Sequence, residues 1–119
     1  MFLAAFLATV TTVTAAPSDE IEALLGYIAG LDEASFIRNG DVHTPVEAEA
    51  HLRLKWTNQK SKIVTTEDFI RLCGTKSTIS GKRYVIRFKD GREEEAAKVL
   101  SEAARGDPLQ ADRRNPRQA

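Results

Sequence analysis

Cysteine is nearly missing from this chain. Cys73 stands alone among 119 residues, so no disulfide framework can staple the fold from within. It sits at helical spacing from Phe69, the usual setting of a small buried hydrophobe. Histidine is scarce too: His43 and His51, with one distant cysteine, offer no metal-ligand spacing, and neither metal nor cofactor is expected. There is no excess of either charge, since 17 basic residues balance 17 acidic ones. Net charge therefore argues for no particular partner. The chain is also too short for two ordinary cores, so one domain is expected.

Long apolar runs are absent after the N-terminus. The stretch MFLAAFLATVTTVTAA has no charged side chain. It falls short of the roughly 20 apolar residues that a membrane-crossing helix needs, so no transmembrane anchor is expected. Val13-Thr14-Ala15 fits a signal-peptidase site, and residues 1–15 read as an export signal to the periplasm. No Lys or Arg precedes the run; the competing reading is a buried apolar terminus. At the other end, residues 106–119 (GDPLQADRRNPRQA) offer one large apolar side chain and are expected to be a disordered tail.

What is present between residues 17 and 105 reads as a single α+β domain: about four helices with a small antiparallel sheet. Ser18 is placed to cap a first helix with Ile21, Leu24, Leu25, Ile28 and Leu31 on one side. Ser35-Phe36-Ile37-Arg38 and Asp41-Val42-His43 flank Asn39-Gly40, a strong hairpin signal because both turn residues need positive φ. Thr44, Pro45 and Glu47 spell a full capping box for a second helix running to about Lys60, with Ala48, Leu52 and Trp56 inward. Thr65 and Asp68 spell another for a third helix, with a Val64–Phe69 staple and Gly74 as a left-handed cap. Tyr84 to Phe88 alternates as a late strand closed by Lys89-Asp90-Gly91. Glu93, Glu94 and Glu95 are expected to open a last helix with Ala96, Val99, Leu100 and Ala103 inward.

The stretch GTKSTISGKRY resembles a phosphate loop only superficially. Six residues separate Gly74 from Gly81, more than such a loop allows, and Lys82 precedes Arg83 instead of a magnesium-holding Ser or Thr. The loop also leaves a helix and enters a strand, the reverse of the order that aims helix amides at phosphate. A Ser/Lys hydrolase would need Ser-x-x-Lys on one helical face, and that spacing is absent. Nucleic acid is not expected as a partner, because the basic middle of the chain lacks interleaved exposed aromatics and the leader directs export.

Several motifs recur in a familiar order: EIEALL from Glu20, FIRNG from Phe36, Glu47-Ala48 with His51-Leu52 and Lys55, TEDFI from Thr66, then Thr75-Lys76-Ser77 with Ser80-Gly81-Lys82 and Tyr84. Together they resemble the YfeK-like family, a domain of unknown function (5329) in small exported bacterial proteins. The resemblance implies export and one α+β domain, and no reaction. Many members carry a cysteine pair where this chain has Ala34 and Phe88. The resemblance therefore implies that the Phe36 and Tyr84 strands are neighbours, since bridged Cα atoms lie about 4.4–6.8 Å apart.

Glu47, His51 and Lys55 form an i, i+4 ladder on the second helix, with Lys55 close to its apolar stripe. Two readings follow. In the first, His51 and Lys55 are an edge-of-core ladder, the serines satisfy their own loop, and Tyr84 and Trp56 are core aromatics with satisfied polar tips. In the second, His51, Lys55, Lys76, Ser77, Ser80, Lys82 and Tyr84 form a cationic, hydroxyl-rich site. Such a site would bind an anionic cell-envelope component or another exported protein, without catalysis. A small hydrolase acting on envelope material is the alternative.

Overall fold

The computed structural model describes residues 16–106; the expected signal segment at 1–15 and all of the expected tail except Gly106 lie outside the described residues. Eight main elements follow in order: α1 (Pro17–Ala29), β1 (Ser35–Arg38), β2 (Asp41–His43), α2 (Pro45–Asn58), α3 (Thr66–Cys73), β3 (Val85–Arg87), β4 (Glu93–Glu95) and α4 (Ala96–Ala104). A single 3-10 turn, Lys60–Lys62, links α2 to α3. The class is α+β, as the sequence predicts. The strands make one antiparallel sheet in the order β2-β1-β3-β4.

Helix α1 is central and packs on α2, α3 and α4. Its stripe of Ile21, Leu24, Leu25 and Ile28 is buried, with Leu31 just beyond. Each such side chain contributes about 1.5–3 kcal/mol on burial. Ser18 does not cap this helix. Ala16 occupies the cap and Pro17 the first turn, where the ring's fixed φ fits and its missing N–H costs nothing.

On the sheet, period-2 alternation turns Phe36 and Ile86 toward the helices as a directly opposed pair. One step past the last paired residues, the same register sets Ala34 across from Phe88, both buried, as the family's cysteine pair implied. The hairpin at Asn39-Gly40 has both residues at positive φ, 55° and 81°.

Three local expectations fail. Helix α2 ends at Asn58, and its box is half formed: Thr44 Oγ1 accepts from the Glu47 amide at 3.2 Å, but the Glu47 carboxylate turns to His43 instead. The box on α3 has both arms, but its staple is missing because Val64 is 71% exposed while Phe69 is fully buried. Gly74 is right-handed at φ −100°, and packing explains it better: a Cβ there would stand 2.6 Å from Leu100 Cδ1 on α4.

The largest departure is Glu93–Glu95, which forms β4 and not the start of a helix. Gly91, at φ +89°, reverses the chain, and the Phe88 amide donates to Arg92 O at 2.8 Å. The acidic strand then pairs with β3, where Arg87 holds Glu93 at 2.7 Å and Arg83 holds Glu95 at 3.3 Å. Cross-strand charge pairing and an open sheet edge outweigh the helix preference of glutamate.

Candidate functional site

The inner face of the sheet and one flank of α2 meet around four polar side chains. Arg38 lies on the same face of β1 as Phe36, and the β1–β3 register extended by one residue sets it across from Tyr84. Opposite them, α2 presents His51 and Lys55 one turn apart, while Ala48 and Leu52 point into the core.

Their hydrogen bonds fix who donates. Arg38 Nη1 approaches His51 Nδ1. Guanidinium has only donors, so Nδ1 accepts and the imidazole proton sits on Nε2. Nε2 in turn donates to Tyr84 Oη at 3.2 Å. Lys55 Nζ donates to the same Oη at 3.1 Å and to the Lys76 carbonyl at 3.1 Å, and it lies 5.0 Å from the Tyr84 ring centroid. The rings of His51 and Tyr84 meet edge to face, 5.9 Å apart.

Tyr84 Oη thus accepts two bonds, and among the described residues no acceptor takes its own hydroxyl hydrogen.

The electrostatics are one-sided. Lys55 is only 7% exposed and Tyr84 8%, and among the described residues neither Lys55 nor Arg38 pairs with a carboxylate. Burial, then the charges of Arg38, Lys55 and His43, push the His51 imidazole down from 6.5 to about 4, so it is neutral at pH 7. Nearby Cys73 is an inert thiol, pushed up to about 11 by burial with Lys55 opposing.

Beside this cluster lies a cleft of about 50 Å³. Its apolar wall includes Ile28, Phe36, Ala48, Leu52 and Leu100, all buried. Its polar wall is Arg38, His43, Glu47, His51 and Tyr84, with Glu47 Oε2 3.2 Å from His43 Nδ1. The arrangement can hold a small group by donor hydrogen bonds on one side and apolar contact on the other.

Of the residues singled out from sequence, His51, Lys55 and Tyr84 come together here. Ser77 is buried, and its Oγ accepts from the amides of Ile79 and Ser80 and from Asn39 Nδ2 at 3.2–3.4 Å. Ser80 Oγ donates to Asn39 Oδ1 and accepts from the Lys82 amide, so both hydroxyls organise their own turn and tie it to the hairpin. Lys76 touches the cluster through its carbonyl, while its side chain and that of Lys82 are exposed.

Arg38 and His43 were missed in sequence. Alternation carried a signal for Arg38: two residues after the buried Phe36, it is a cation on the inward face of a strand. Among the described residues no group of three His, Cys, Asp or Glu side chains could hold a metal ion, and no helix is long and apolar enough to cross a membrane.

Comparison with known proteins fits this picture without adding a reaction. An uncharacterized protein, YfeK, of Salmonella typhimurium (strain LT2) is 42% identical over 72 residues. The match covers 60% of this chain and 60% of that relative's length. No solved structure gives a significant match. Residues 15–105 match the profile of a family of unknown function, DUF5329. The chain belongs to that family.

Proposed function

We propose that the chain is an exported, periplasmic binding domain, not an enzyme, and that it takes up an anionic group of a cell-envelope component or partner protein on the flank of α2. The Tyr84 hydroxyl supports this most directly. His51 and Lys55 occupy both of its lone pairs, so its remaining hydrogen needs an acceptor from outside. Arg38 and Lys55 add two positive charges with no carboxylate of their own. A bound anion supplies both the missing acceptor and the missing counter-charge. The Lys/Ser-rich loop contributes the Lys76 carbonyl that orients Lys55. Hydrolysis has less behind it, because the hydrogen-bond partners of Ser77 Oγ are two amides and an asparagine, with no base among them.

The test is titration of the full chain with acetate, followed by NMR. Tyr84→Phe is expected to weaken binding about tenfold to a hundredfold, the worth of a hydrogen bond to a charged group. Lys55→Met should weaken it as well, whereas Lys76→Ala, which keeps the carbonyl, should not. Equal binding by wild type and Tyr84→Phe would end the proposal.

A further inference from the structure

The apolar wall of the cleft carries information that the polar wall does not. We infer that the ligand is an amphiphilic monoanion: a single carboxylate at Tyr84 and Arg38, with a short aliphatic tail of about three to four carbons against Ile28, Leu52 and Leu100. This rests on the anion-binding reading above and deepens it.

Size sets the tail. A water needs roughly 10–15 Å³ of such space, so about 50 Å³ takes about three to five heavy atoms and no ring system. Chemistry sets its polarity, since the side chains on that wall offer no hydrogen-bonding group and a sugar or phosphate placed there would lose its own. The charge is set by the opposite rim. Glu47 lines the same cleft with its carboxylate on His43, and it disfavours a second negative charge on the ligand. One carboxylate satisfies Arg38 and the Tyr84 hydroxyl, which Lys55 polarises from behind; a dianion would meet Glu47. The tail cannot run long, because the cleft is small and Gly74, which also lines it, already abuts Leu100.

The experiment is an NMR or calorimetric titration of the full chain with acetate, propionate, butyrate, pentanoate and octanoate, beside the primary amides of the same acids. Affinity should rise about fourfold per methylene, the factor for burying one CH₂, and stop rising once roughly four tail carbons are reached. The amides should bind far more weakly at every length. Ala48→Leu, which places a larger side chain in the cleft from α2, should abolish the length dependence.

If acetate binds as well as butyrate in wild type, the anion site stands and the inferred tail is overturned. If amides match the carboxylates, the inferred charge is overturned while the cleft stands. If nothing binds, both this inference and the anion site fall. The wild-type series decides the matter even should Ala48→Leu not fold.

Discussion

Protonation of His51 gives the site a thermodynamic signature that can be read without any ligand. Burial and the neighbouring Arg38, Lys55 and His43 side chains hold the imidazole down from 6.5 to about 4 in the folded chain. Above pH 6.5 the ring is neutral whether folded or not, and the fold gives up nothing. As pH falls from 6.5 to 4 the unfolded chain takes up a proton that the folded one refuses, so stability drops through that window and levels below it. Each tenfold loss of proton affinity is worth about 1.4 kcal/mol, which sets a ceiling of about 3.4 kcal/mol. The ring is partly exposed, so solvent screening brings this to about 1–2 kcal/mol.

Urea unfolding of wild type and His51→Gln at pH 7, 5.5 and 4 measures the effect. The stability of wild type relative to the variant should fall by about 1–2 kcal/mol between pH 7 and 4. The carboxyls of Glu22, Asp68 and Asp90, held low by Arg53 for Glu22, backbone amides and Arg71 for Asp68, and the Arg92 amide and guanidinium for Asp90, also weaken the fold in acid, but equally in both proteins. Parallel curves would refute the reasoning. So would an NMR titration midpoint near 6.5 for His51.

Three further predictions concern the fold that holds the site. Gly74→Ala forces a Cβ against Leu100 Cδ1 at 2.6 Å, and urea unfolding should show a loss of about 1–3 kcal/mol even though the backbone angles suit alanine; no loss would mean that α3 and α4 are less closely packed. Asn39→Gly keeps the positive-φ turn but removes the bonds to Ser77 and Ser80. It should cost about 1 kcal/mol and speed amide exchange from Ser77 to Lys82, and unaltered exchange would show that the loop holds itself. The double variant Ala34→Cys/Phe88→Cys should oxidise readily to an intrachain disulfide, scored by mass after thiol alkylation, with buried Cys73 left out of the pairing; a persistently reduced pair would contradict the β1–β3 register.

The expectations that failed share a cause. Ser18, Glu47, Val64 and the Glu93–Glu95 run were each assigned from neighbours a few residues away, and each was decided by something farther off or by a competing local partner. Glu93–Glu95 is the clearest case. Three glutamates before an apolar run favour the first turn of a helix, but Arg87 and Arg83 wait across an open sheet edge.

Periodicity, caps and turn residues, which act within one turn or one hairpin, settled the class of the fold, the inward stripe of α1, the Asn39-Gly40 reversal and the α3 cap from sequence alone. Legibility ended where contacts joined distant parts of the chain. His51 and Lys55 were visible as a helical ladder, but 33 residues separate His51 from the Tyr84 hydroxyl it meets, and 13 separate it from Arg38. Only the register of β1 on β3, and the packing of α2 over that face, aligns these groups, because a hydrogen bond depends on distance in space and a local pattern carries no record of it.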